Sequence, residues 1–342
     1  MNILKAGLLA TTALACVALA GHANASLVLF NSFTGNELVS TDGCGSNTAT
    51  CTLQSNIQAG STIQAAYLYS STFSSTTDPN GVTLSKGAAT VAPTFVPLGA
   101  TAFPLQAWRA DVTSFVQANA NIGSLTTWTA NEGAQTGIID GEALVIVYSN
   151  ATVQPTTHTI SILDGFSSST GDTSSVSFTA LPAGFTAQMM IGDGFSFDGT
   201  DPNNPTNTNQ VSTITVNGIN LTTVAGHCDD AQDVACSNGN LITMGATNAG
   251  SHDDPFTPFP CNGLGCIGSD HEHYNLANIL NVGDTSAALT TVNPSGDDNI
   301  FLEVFDISGT VVFQAPEPGS LALLGAALAG FGLYGRRRRL RS

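Results

Sequence analysis

Apolar positions along this chain recur mainly with a period of two, the spacing of a strand with one face buried. Ser61 to Thr72 carries Ile63, Ala65, Tyr67 and Tyr69 on one face, and Thr157 to Leu163 alternates Thr and His with Ile and Leu. Ala143 to Tyr148 is a continuous apolar run. Val211 to Val216 and Ile219 to Val224 flank Asn217-Gly218, a dipeptide suited to the positive φ angles of a tight hairpin. Asn299 to Ile307 and Thr310 to Phe313 repeat that arrangement around Ser308-Gly309.

Helical patterning is scarce. Asp111 can cap a short turn reaching Ala118, and Tyr274 to Leu280 suggests another. The expected fold is therefore all-β, an antiparallel, jelly-roll-like β-sandwich, with an N-terminal signal helix and a short hydrophobic C-terminal helix added to it. A weak internal echo sets Trp108 to Val116 and the later strand at Gly141 to Tyr148 against Tyr274 to Leu280 and the later strand at Asn299 to Phe305. It divides the body into two tandem modules, 26–166 and 167–314, joined by the polar stretch Ser167 to Ser175.

Both ends read as processing segments, 1–25 and 315–342. Met1 to Ala25 has Lys5, an apolar run from Ala6 to Ala20, and the small-residue site Ala23-Asn24-Ala25 before Ser26. That is the pattern of a secretory signal peptide cut between Ala25 and Ser26 by signal peptidase. Cys16 raises lipid attachment as an alternative, but Leu14 lies one position from where a lipobox needs it. At the other end Pro316-Glu317-Pro318 precedes an apolar stretch from Leu321 to Tyr334, followed by Arg336, Arg337, Arg338, Arg339 and Arg341. At about 1.5 Å per residue, this stretch falls short of a hydrocarbon core about 30 Å thick.

This tripartite tail resembles the PEP-CTERM sorting signal of Gram-negative bacteria, with Ala315 where the family often has Val. The resemblance implies recognition by an exosortase-type membrane enzyme and transient membrane association through the C-terminal helix. It also implies cleavage near Pro316 to Pro318, which releases the body at the cell surface or into the extracellular matrix. An ordinary tail anchor, its arginines obeying the positive-inside rule, is the alternative.

Removing the ends changes the charge account. Lys5 and the five tail arginines leave, so Lys86 and Arg109 remain against 24 carboxylates, 25 less Glu317, for a formal charge of −22. Such a surface repels nucleic acid and anionic lipid, which need cationic partners. It suits a hydrated extracellular setting, or simply keeps the protein soluble.

Seven cysteines become six once Cys16 is removed with the signal peptide. They fall into close pairs, Cys44 with Cys51, Cys228 with Cys236, and Cys261 with Cys266, and an oxidising compartment favours three local disulfides. A thiolate zinc site near His271 and His273 is the rival.

Catalytic motifs are thin. Gly263 to Gly268 fits G-x-G-x-x-G, yet Pro258 and Pro260 stand where the preceding strand is required. There is no G-x-S-x-G elbow and no H-E-x-x-H helix. Asp270-His271-Glu272-His273, with His252, Asp253 and Asp254 nearby, supplies transition-metal ligand types, against the simpler reading of a solvated loop. Asp193, Asp198 and Asp201 offer hard oxygens to Ca²⁺, although their spacing misses the EF-hand and favours a polar turn.

The first half, through Ala65 to Tyr69, Ala110 to Thr113, Asp140-Gly141-Glu142 and Asp164-Gly165-Phe166, looks like a β-sandwich domain recurrent in secreted prokaryotic surface proteins. No catalytic activity comes with that resemblance. The expectation is a non-enzymatic exported surface or matrix protein without a cofactor, associated with exopolysaccharide or biofilm. The alternative is a carbohydrate- or calcium-binding adhesion module, which would need Trp108, Trp128 and Tyr148 exposed as a sugar platform. A metal-assisted hydrolase using His271 and His273 comes third.

Overall fold

The computed structural model describes residues 27–310, apart from 46–48, 73–76, 101–104, 136, 169, 195–211, 226–241, 248–271 and 294–298. The described strands are, in chain order, β1 (Val28–Gly35), β2 (Glu37–Gly45), β3 (Thr50–Asn56), β4 (Thr62–Thr72), β5 (Thr83–Lys86) and β6 (Ala89–Val91). Next come β7 (Val96–Ala100), β8 (Gln106–Asp111), β9 (Leu125–Asn131), β10 (Ile139–Ser149), β11 (His158–Asp164), β12 (Thr173–Ser177) and β13 (Ala187–Gly194). Then follow β14 (Ser212–Val216), β15 (Ile219–Ala225), β16 (Ile242–Met244), β17 (His273–Asn275), β18 (Ser286–Val292) and β19 (Asn299–Ser308). One α-helix, α1 (Thr113–Asn119), interrupts them among the described residues.

These strands form four antiparallel sheets. Sheet I runs β3-β9-β5-β6, sheet II β2-β10-β4-β8-β7, sheet III β1-β11-β19-β13-β16 with β17 also on β13, and sheet IV β12-β18-β14-β15. Three hydrophobic cores stack them in that order. Leu53, Leu68, Trp128 and Ile146 pack between I and II; Tyr69, Val145, Ile162 and Val304 between II and III; Met189, Ile214, Leu289 and Phe305 between III and IV. The all-β sandwich expected from the periodicity is present, extended to four layers.

The layering explains the two kinds of strand. Every residue of β10 from Ile139 to Tyr148 is buried, because sheet II has a core on each face. Outer β9 reads exposed-buried in strict alternation, burying Thr126, Trp128 and Ala130 and turning the residues between them to solvent. The hairpin forms at Asn217 (φ 50°) and Gly218 (φ 75°), both left-handed, as its turn requires. Asp111 Oδ1 accepts from Thr113 N at 2.8 Å, so the carboxylate opens α1 from one residue outside the cap. At the second expected helical turn a 3₁₀ turn, Leu276–Asn278, forms, capped by Asn275 accepting from Ala277 N.

Sheet membership alternates along the chain. β1 and β11 lie in sheet III beside β19 and β13, whereas β2 to β10 build sheets I and II. The stretch Ser167 to Ser175 runs into β12, the first strand of sheet IV.

Candidate functional site

Three polar constellations stand out from the β framework, and the sequence-level candidates fall around them unevenly. Asp193 is fully buried on β13, opposite Thr243 of β16 and Ile300 of β19. His273 is buried on β17, with Nδ1 2.8 Å from Ala246 O and Nε2 2.8 Å from Gln188 Oε1, so both ring nitrogens face oxygens. Asp198, Asp201 and His271 lie outside the described residues, as do Cys228, Cys236, Cys261, Cys266, the 263–268 glycine stretch and the arm 311–313. Ala25, Ser26, Pro316, Glu317, Pro318, Arg336, Arg337, Arg338 and Arg339 lie outside them too.

Cys44 and Cys51 are joined in a disulfide that ties β2 to β3 and so sheet II to sheet I. Glu142 converges on the same point, its Oε2 3.5 Å from Cys51 Sγ. With both sulfurs spent in the disulfide, no thiolate is offered to a metal there.

The first constellation lies between sheets II and III. Arg109 of β8 forms an ion pair with Asp164 of β11, and its guanidinium stacks on the Phe30 ring of β1, 3.2 Å from the centroid. Tyr69 donates to the same carboxylate oxygen at 3.1 Å. Burial pushes Asp164 above the ordinary carboxylate range, and Arg109 pulls against it.

The second ties the ends of β11, β13 and β19. Asp306 Oδ1 is 2.6 Å from His158 Nδ1, Gln188 Nε2 donates to Asp306 Oδ2 at 2.7 Å, and His158 Nε2 lies 3.2 Å from Ser308 Oγ. This is the atom order of a serine nucleophile, its base and the orienting acid. The surrounding N–H groups, however, are committed to strand pairing. Thr186 N donates to Ser308 Oγ at 2.8 Å, Ser308 N to Thr186 O at 2.9 Å, and Gly309 N to Thr157 O at 2.7 Å. None of these is left to receive a developing oxyanion, so the arrangement clamps three strand ends.

The third is a surface groove of about 600 Å³ where β1, β4 and α1 meet. Phe33 and Phe115 supply half-buried rings, and Asn31, Gln64, Asp111 and Thr113 supply polar groups. Tyr67 lines it as well, its hydroxyl accepting from Asn31 Nδ2 at 3.0 Å. Trp108, Trp128 and Tyr148 are at most 5% exposed and belong to the core between sheets I and II, so the sugar platform that would need them exposed does not form. Indole Nε1 of Trp128 donates inward to Ser55 Oγ at 2.9 Å. The groove residues carried no binding signal in the sequence, because they come from separate elements, β1, β4, β6, β8 and α1.

No helix among the described residues is long and apolar enough to cross a membrane. A search of curated proteins and of solved structures finds no match to the chain. A family model does match its C-terminal end: residues 314–339 fit the PEP-CTERM protein-sorting motif. With the β-sheet body in place, the chain is an exosortase substrate, a β-rich protein carrying its export and surface-sorting address at residues 314–339.

Proposed function

We propose that the mature protein is a non-enzymatic structural component of the bacterial surface or extracellular matrix, associated with exopolysaccharide in a Gram-negative host. The sorting motif at 314–339 carries this reading. Signal peptidase removes 1–25, the apolar stretch Leu321 to Tyr334 holds the chain transiently in the inner membrane, and exosortase releases it. The acidic body and the commitment of Ser308, His158 and Asp306 to strand clamping support a role without turnover. Fractionation of the native host with mass spectrometry of the mature C-terminus tests it. Loss of the Arg336 to Arg341 block from the surface form is expected, and an intact block on the secreted protein would sink the sorting reading.

The groove favours a second reading, a carbohydrate-binding adhesion module. Pyranose rings present apolar faces to aromatic side chains and hydroxyls to amides and carboxylates, the groups that Phe33, Phe115, Gln64 and Asp111 offer. Glycan-array binding that disappears in Phe33→Ala and Gln64→Ala separates this module from a purely structural matrix protein.

A further inference from the structure

The groove between β1 and sheet II holds a single carboxylate. Asp111 ends β8 opposite Tyr67 of β4, and no lysine, arginine or histidine stands among the side chains that line the same space. Thr113 N donates to Asp111 Oδ1 at 2.8 Å, which fixes the carboxylate at the start of α1 and leaves Oδ2 without a partner among the described residues. The two cations of the body are engaged elsewhere. Arg109, two residues back on β8, pairs with Asp164 against the Phe30 ring, and Lys86 Nζ donates to Asn119 O and Asn121 Oδ1, each at 2.6 Å.

The other polar groups of the groove are only half spent. Tyr67 Oη accepts from Asn31 Nδ2 at 3.0 Å, and its own proton has no acceptor among the described residues. Burial, with a smaller push from the Asp111 charge, holds that hydroxyl above its ordinary range, so it remains a donor. Gln64 Nε2 donates to Ser149 Oγ at 2.8 Å, which leaves its Oε1 as an acceptor. Phe33 and Phe115 add half-buried rings, Phe115 steadied by Trp128 with centroids 6.0 Å apart. An anion, a donor, an acceptor and two aromatic rings therefore border one space of about 600 Å³, within the range of small-ligand sites.

Charge decides which ligand fits. The body has 24 carboxylates, 25 less Glu317, against Lys86 and Arg109, so an acidic polysaccharide is repelled at long range and meets no cation in the groove. A glycan with free amines is drawn by the same field, and an ammonium matches Asp111 Oδ2 through a charge-assisted hydrogen bond. A lysine on a peptide would supply the ammonium but no flat apolar face for Phe33 and Phe115. A pyranose ring supplies both.

We propose that the groove binds an amino glycan, a chain of hexosamine units whose nitrogen is free rather than acylated. The ammonium sits on Asp111, a ring face lies against the phenylalanines, and hydroxyls pair with Tyr67 and Gln64. This assignment rests on the carbohydrate reading of the groove and narrows it to one class of glycan.

Calorimetric titration of the processed protein, isolated from its host, tests it in low-salt buffer with EDTA at pH 6, comparing a glucosamine tetramer with its fully N-acetylated counterpart. The free-amine tetramer should bind about tenfold more tightly, the worth of one hydrogen bond to a charged group. Asp111→Asn keeps an acceptor for Thr113 N and removes only the charge, so it should bring the two affinities together. Asp172→Asn, the same change of charge beside β12 of sheet IV, should leave the preference intact. Gln64→Ala should weaken both tetramers alike. Equal affinities in the parent protein would overturn the amine assignment and leave the carbohydrate reading standing. A preference that Asp172→Asn removes as fully as Asp111→Asn would overturn the groove as its seat. Failure of both tetramers to bind at millimolar concentration would overturn the carbohydrate reading itself, and this assignment with it.

Discussion

Asp164, Glu132, Asp140 and Glu142 are all buried carboxylates, yet among the described residues only Asp164 has a cation of the chain beside it. Asp164 has Arg109, the Tyr69 hydroxyl and the Phe30 ring that braces the guanidinium. The other three acids have one long contact to Ser71 and the flank of a disulfide. The contrast teaches that burial alone does not specify what an acidic site does. A carboxylate matched by the chain's own cation contributes to the fold, whereas one buried without a countercharge costs stability whenever it ionises.

The largest effect should come from breaking the matched pair. Arg109→Met leaves Asp164 buried beside Tyr69 without countercharge, and chemical denaturation should show a loss of about 3 kcal/mol. Removing the clamp beside Glu142 comes next. Cys44→Ser with Cys51→Ser opens a short loop between sheets I and II and should cost about 2 kcal/mol, by the same measurement.

Neutralising an acid without a countercharge should act in the opposite direction. At pH 8, Glu132→Gln should gain on the order of 1 kcal/mol, where Arg109→Met loses. The pH dependence has a matching sign. Glu132 titrates near 8 when folded and near 4.5 otherwise, so between those values the folded state binds more protons. Its contribution to stability is therefore full below about pH 4.5 and is lost as pH rises toward 8. The thermal unfolding midpoint should fall over that window, and Glu132→Gln should flatten the slope. Smallest of all, Ser308→Ala removes one polar partner from the strand clamp and should cost about 1 kcal/mol in thermal unfolding.

Much of the framework was readable in advance because strands declare themselves locally. The period-two pattern gave β4 and β11, the Asn217-Gly218 turn gave β14 with β15, and the spacing of Cys44 and Cys51 gave a disulfide. The run Ala143 to Tyr148 was visible as apolar, but its meaning waited on the two cores that cover it. The candidate sites were less legible. His273 offered ligand chemistry in sequence and is engaged by Ala246 and Gln188 in the fold. Trp108, Trp128 and Tyr148, the aromatics a sugar platform required, instead fill the core between sheets I and II. Asp140-Gly141-Glu142 stood in the sequence only as part of a fold resemblance.

By itself the sequence determined the address and the class of fold. A sorting motif is a contiguous string of residues, and side-chain alternation is a property of neighbouring residues. Only the tertiary structure decided that four sheets stack with three cores, that Arg109 meets Asp164, and that Glu132, Asp140 and Glu142 meet no cation among the described residues. Those outcomes depend on strand register and sheet order, which bring residues 55 positions apart into contact in the ion pair and leave nearby acids without a countercharge.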